Sequence, residues 1–152
     1  MVICSPPSAG KNYFLDMIFC ILINIGYLGT ANKTNNFAFQ EAPNKRCLVW
    51  NEVNYEPAMT DMCKQLTGGD TCKVRVKNNP DTYVARTPLF CMVNQSIPFM
   101  YELAFQERCV VYKWKKADFL KNYNKYPYPL SFFSLLIKYD IDFYICVLRK
   151  SW

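Results

Sequence analysis

A chain of 152 residues, 51% hydrophobic and 20% charged, is long enough for one packed domain and too apolar for a disordered one. It contains no histidine, which excludes Ser-His and Cys-His nucleophile pairs and leaves acid–base work to carboxylates. The net charge of +6 suits a polyanionic partner such as nucleotide or nucleic acid, although many ordinary domains are as basic.

Val2-Ile3-Cys4 reads as the end of a short apolar strand, and "SPPSAGK" as a loop. From Lys11 the residues Phe14, Ile18, Ile21, Leu22 and Ile25 recur at helical spacing, with Gly26 and Gly29 expected to close the helix. The apolar run from Tyr13 to Leu28 is shorter than the roughly 20 residues of a membrane span and contains Asp16 and Asn24, so it predicts a buried helix. It also lacks the basic start and the small-residue cleavage site of a signal peptide. "ANKTNNFAFQ" is polar, with a strand-like centre at Phe37–Phe39. Cys47 to Trp50 form a continuous apolar run, the pattern of a buried parallel strand, and Glu52 follows. "PAMTDMCKQLTGG" predicts a short amphipathic helix that stops at Gly68-Gly69. Cys72, Val74 and Val76 alternate with Lys73, Arg75 and Lys77 before an Asn-Asn-Pro-Asp turn, a hairpin with one basic face. Leu89 to Val93 is a second buried strand, ending at Asn94. A short helix in "FMYELAFQERC" and a strand in "CVVYKW" follow. "KWKKADFLKNYNKYPYPL" is basic and aromatic. It suits either single-strand stacking or, the preferred reading, a basic surface over an aromatic core. The tail 131–152 is apolar and aromatic.

The eight cysteines are Cys4, Cys20, Cys47, Cys63, Cys72, Cys91, Cys109 and Cys146. No two form a C-x-x-C pair, and several lie inside apolar runs. Buried reduced thiols in a reducing, intracellular compartment are expected, rather than a zinc site.

Strands alternating with helices argue for an α/β sheet, and such sheets bind ligands at the carboxyl ends of their strands. Three strand ends here carry chemistry: the loop after Cys4, Glu52 after the Trp50 strand, and Asn94 after Val93. The first is a strand–loop–helix unit with Gly10-Lys11 at the helix start, the context of a phosphate-binding loop. The loop departs from G-x-x-x-x-G-K-[ST] twice. Ser5 stands at the first Gly, which requires an acceptable φ, and Asn12 stands at the Ser/Thr.

"SPPSAGKN", "LVWNE", "GGDTCKVRVK" and "TPLFCMVN" together resemble, in order and spacing, the motifs of superfamily 3 helicases. The chain is most similar to the large non-structural replication protein of parvoviruses, and among those to insect densoviruses, over roughly Val2 to Leu130. The resemblance implies a P-loop ATPase core of three α/β/α layers, with a mostly parallel sheet flanked by helices and truncated at its N-terminus. It implies ATP and Mg²⁺ as cofactors, DNA as partner, a homo-oligomeric ring, DNA unwinding during viral genome replication, and a host nucleus. The expected division is a helicase-like ATPase domain over 1–130 and a tail over 131–152. The origin-binding, strand-nicking domain of full-length relatives is expected to lie outside this chain.

Site residues follow by the same resemblance. The loop Ser5, Pro6, Pro7, Ser8, Ala9, Gly10, Lys11 and Asn12 would cradle phosphates, with Lys11 on the β/γ-phosphates. Asn12 and Glu52 would bind Mg²⁺, Asn12 through a carbonyl oxygen. Relatives often carry two consecutive acids where this chain has Asn51-Glu52. Counting from the strand puts Glu52 at the first acid, counting back from Lys64 and Gly69 puts it at the second, and both remain open. Asn94 resembles the polar sensor of the γ-phosphate. Arg108 falls where the family places an arginine that reaches the neighbouring subunit's nucleotide. Lys73 and Lys77 lie on the hairpin, Lys77 at the place of a DNA-gripping residue that would make a sequence-blind phosphate contact. Two alternatives stand beside an active ATPase: a catalytically inactive viral remnant that only binds nucleotide, DNA or other subunits, and, ranked last, a basic nucleic-acid module without ATP.

Overall fold

A computed structural model describes residues 1–22, 24–94 and 101–116. Five parallel strands form the main sheet: β1 (Val2–Cys4), β2 (Ile25–Leu28), β3 (Cys47–Asn51), β6 (Leu89–Val93) and β7 (Val111–Lys113). Their order is β2-β3-β6-β1-β7. β4 (Cys72–Val74) and β5 (Thr82–Val84) pair antiparallel in a separate hairpin. The helices are α1 (Lys11–Leu22), α2 (Thr60–Gly68) and the short α3 (Leu103–Gln106).

The central strands are buried on both faces because alternate side chains feed two different cores. Ile3, Cys47, Val49, Phe90 and Met92 pack with Leu15 and Phe19 of α1. Val2, Leu48, Trp50, Leu89, Cys91 and Val93 pack with Cys63 and Leu66 of α2, Phe105 of α3 and the inner face of the hairpin. Helix, sheet and helix therefore make three layers, the α/β architecture the sequence predicts. Cys4, Cys47, Cys63, Cys72, Cys91 and Cys109 are free thiols, and Cys47, Cys63, Cys72 and Cys91 are buried in these cores. Among the described residues no helix is long and apolar enough to cross a membrane.

Two local expectations are corrected. The first helix ends at Leu22, and Ile25 and Gly26 begin β2 rather than extend and close the helix. Gly26 is needed there for space: a Cβ would stand 2.5 Å from the Glu41 carbonyl oxygen and 2.8 Å from Lys45 Cγ. Phe37–Phe39 is a turn, not a strand. Asn32 Oδ1 accepts from the Asn35 N–H at 2.6 Å and starts that turn. Phe39 is still buried, edge-on to Trp50 with ring centroids 5.6 Å apart.

α2 and the hairpin follow expectation. Gly69 takes φ 75° as the left-handed cap of α2, its N–H directed to the Gln65 and Leu66 carbonyls. Lys73, Arg75 and Lys77 are exposed while Cys72 and Val74 are buried. Most of the basic-aromatic stretch and all of the tail 131–152 lie outside the described residues.

Candidate functional site

β3, β6 and β1 are neighbours, so their carboxyl ends lie side by side. Two backbone hydrogen bonds continue the pairing past the strand ends. The Ser5 N–H donates to the Val93 carbonyl at 3.2 Å, and the Glu52 N–H to the Met92 carbonyl at 2.8 Å. They draw the phosphate-type loop, Glu52 and Asn94 to one place. The result is an open cavity of 310 Å³ lined by the loop from Pro7 to Asn12 together with Asn51, Glu52 and Asn94. Pro6 is exposed in the same loop.

Lys11 is the centre of this arrangement. Although a lysine, it is only 9% exposed. Its ammonium donates to Asn94 Oδ1 at 2.7 Å and to Ser5 Oγ at 2.9 Å. Burial pushes its pKa below the usual 10.5, and the nearby Cys4 and Glu52 work against that fall. Lys11 also opens α1, whose first turn carries no acidic residue. The first N–H groups of a helix have no intrahelical acceptor, and the helix dipole favours negative charge there. Cation, helix start and loop thus face one polar cavity, which is chemistry for an anion.

The backbone is least comfortable around the same cavity. Ser8 has φ 57° and Glu52 φ 52°, both left-handed, while Gly10 adopts φ 86° without a steric penalty. Ser5 is not among the left-handed residues. The concern that a side chain at the first glycine position would strain the loop is therefore removed: the left-handed bends fall at Ser8 and Gly10 instead.

Asn12 is exposed on the cavity wall, and Asn51 stands on it next to Glu52. Glu52 is the one carboxylate in that wall. The other predicted site residues lie elsewhere. Arg108 packs against Gly68 and donates to the Lys64 carbonyl at 3.4 Å, so it meets the C-terminal end of α2 rather than this chain's cavity. Lys73 pairs with Asp81 at 3.2 Å on the exposed hairpin face, and Lys77 lies beyond β4 towards the turn. Sequence reading overlooked Tyr83, 63% exposed and directly opposite Lys73 in the hairpin register. Its signal was the alternation of Thr82-Tyr83-Val84, which puts Tyr83 on the same face as Lys73.

The family model of the parvovirus non-structural protein NS1 matches residues 1–115. Initiator protein NS1 of Diatraea saccharalis densovirus is 57% identical over 142 residues, covering 93% of this chain and 26% of that protein. Initiator protein NS1 of Bombyx mori densovirus is 36% identical over 145 residues, 95% of this chain and 16% of that protein. The chain thus spans about a quarter or less of the length of these relatives. Among solved structures, JCV helicase shares the fold at a TM-score of 0.61 and 14% identity, over 79% of this chain and 36% of that one. The C-terminal region of NrS-1 does so at 0.56 and 17%, over 83% and 31%. With more than half of its length under that family model and a densovirus relative at 57% identity, this chain belongs to the parvovirus non-structural protein NS1 family.

Proposed function

We propose that the cavity over β1, β3 and β6 binds ATP with magnesium, and that this chain is part of an ATP-driven DNA-unwinding core of a densovirus-type replication initiator. The observation that carries the reading is Lys11. A buried ammonium at a helix start, held between two strand ends and facing an open polar cavity, is arranged for phosphate. The relatives' name, initiator protein, and the helicase fold of the structural neighbours supply the context.

The lining fits the ligand. Loop Ser5–Asn12 and the start of α1 offer N–H groups and one cation to a polyphosphate. Asn12, Asn51 and Glu52 offer hard oxygen donors, but only one is a carboxylate. Mg²⁺ is commonly held by one or two carboxylates together with substrate phosphates, so it would arrive with the nucleotide. When bound, the metal neutralises phosphate charge and orients the reacting oxygens. Asn12 and Glu52 would hold it, and Glu52 would also accept the proton of the attacking water. Asn94, already on Lys11, would register the terminal phosphate. Arg108, at the C-terminal end of α2, would serve a neighbouring copy, and Lys73 and Lys77 would contact the DNA backbone.

The test is thermal. ATP–Mg²⁺ should raise the melting temperature of the chain, Lys11→Ala should abolish the rise, and Mg²⁺ alone should give none. No shift at millimolar ATP would sink the proposal. The lone carboxylate favours a second reading, a nucleotide-binding module without turnover. ATP turnover that disappears in Glu52→Gln would exclude it.

A further inference from the structure

We propose that Ser5 is a positioning residue for the phosphate-binding lysine: its hydroxyl, together with Asn94, holds the Lys11 ammonium in place at the cavity wall. The inference rests on the nucleotide reading above and deepens it.

The departure from the usual glycine supplies the first step. Glycine at that place is useful when the backbone must turn left-handed or approach the ligand closely. Here the left-handed residues of the loop are Ser8 and Gly10, and Ser5 is not one of them. Position 5 is therefore free to carry a side chain.

That side chain is built into the site. Ser5 is 3% exposed, so its hydroxyl is inside the protein rather than in solvent. The hydroxyl donates to the Pro6 carbonyl at 3.1 Å. With its hydrogen committed there, the oxygen is left as an acceptor, and Lys11 Nζ lies 2.9 Å from it. Asn94 Oδ1 accepts a second ammonium hydrogen at 2.7 Å, while the Ser5 carbonyl stands farther off at 3.5 Å. An ammonium has three hydrogens. The two short bonds, at the strand ends of β1 and β6, fix the ammonium at the cavity wall, and a phosphate there would replace the long third bond to the Ser5 carbonyl.

The energetic consequence is preorganisation. A lysine side chain has a flexible four-carbon stem, and ordering it opposes binding. Ser5 and Asn94 order it before the phosphate arrives, which strengthens binding without adding a contact to the ligand. They also satisfy a buried cation that would otherwise be short of acceptors. With glycine at position 5 the ammonium keeps Asn94 and a long contact to a carbonyl.

The experiment has two arms on the full chain. Without ligand, Ser5→Ala should lower the melting temperature more in the wild-type background than in Lys11→Met, where only the bond to the Pro6 carbonyl is lost. The excess loss then belongs to the Ser5–Lys11 bond and not to packing at position 5. In titrations with ATP–Mg²⁺, Ser5→Ala and Ser5→Gly should each weaken affinity about tenfold, the scale of a hydrogen bond to a charged group. Ser5→Thr, which keeps the hydroxyl, should restore it. Wild-type affinity in Ser5→Ala, in a chain whose binding depends on Lys11, overturns the inference and leaves the nucleotide reading intact. So does a Ser5→Thr as weak as Ser5→Ala with an unchanged melting temperature. A wild-type chain that binds no ATP overturns both.

Discussion

The cavity and the hairpin each combine lysine with left-handed backbone, yet they treat them in opposite ways. At the hairpin turn the left-handed position, φ 59°, is Asn78, a residue type that tolerates this conformation. At the cavity such positions fall on Ser8 and Glu52, which tolerate it less well. Lys73 and Lys77 are solvated, while Lys11 is buried and held by Ser5 and Asn94. The hairpin obeys the rules of a stable surface turn. The cavity holds strain and a desolvated charge, and only tertiary support keeps them. Charge at the hairpin should therefore act collectively and respond to salt. Charge at the cavity should act through one group in one geometry.

The largest expected effect separates the two lysines. Lys11→Ala should remove the ATP-dependent rise in melting temperature, whereas Lys77→Ala should leave it whole. Equal losses in the two variants, read by the same thermal scans, would erase the distinction.

Alkali tests what the two regions share. Burial raises the thiols of Cys47 to about 11 and of Cys63 and Cys91 to about 12, from an ordinary 9.0. Cys47 and Cys91 lie in strands leading to the cavity, and Cys63 lies in α2, beside Cys72 at the hairpin root. Above pH 9.0 the unfolded chain releases protons that the folded chain retains, so stability falls as pH rises and goes on falling through 11 to 12. Lys11 acts in the opposite sense, because its lowered pKa makes the unfolded chain hold the proton longer. Several thiols outweigh one lysine, and the net slope is negative. Denaturant midpoints at pH 8, 9 and 10 should fall, on cavity and hairpin probes together; midpoints that stay level would contradict this balance of burial.

These differences also explain how much of the molecule could be read in the sequence. The strands leading to the cavity were legible because parallel strands buried on both faces appear as unbroken apolar runs, with the polar residues just beyond them. The ends of α1 and the Phe37–Phe39 segment were not. Gly26 followed a helical pattern and looked like its stop, but what requires a glycine is the Glu41 carbonyl, fifteen residues away in sequence. Phe37 and Phe39 imitate strand alternation, but the asparagine turn before them and the ring of Trp50 decide their conformation. Ser5 could be recognised as a departure, but not as a partner of Lys11. That role depends on a backbone angle and on Asn94, 83 residues from Lys11.

A smaller effect probes the strain itself. Relief of a left-handed conformation is worth roughly 1–2 kcal/mol, and the added freedom of glycine in the unfolded chain takes back about 0.5–1. Glu52→Gly should therefore raise unligated stability, by up to about 1.5 kcal/mol, while eliminating any turnover. Asn78→Gly, where little strain exists, should be neutral or slightly destabilising. Urea denaturation of both variants reads the difference; a Glu52→Gly no more stable than wild type would mean that φ 52° is not strained in this setting.

The smallest effect concerns the hairpin cations. Lys77 has no carboxylate partner among the described ion pairs, whereas Lys73 pairs with Asp81 at 3.2 Å. Such an exposed pair contributes at most about 1 kcal/mol to folding, so neither lysine should matter much to stability. Both should matter to single-stranded DNA, but unequally. A lysine that neutralises one phosphate accounts for about 0.7 of the slope of log affinity against log salt. Lys77→Ala should lower that slope by about this amount. Lys73→Ala should lower it by less, because Asp81 already offsets part of its charge and would remain as an uncompensated negative group. Asp81→Asn should then strengthen DNA binding modestly and raise the slope, since it releases Lys73 to the phosphates. If Asp81→Asn leaves DNA binding unchanged while Lys77→Ala weakens it, the contact is confined to the turn and the basic face of β4 is only a solvated surface.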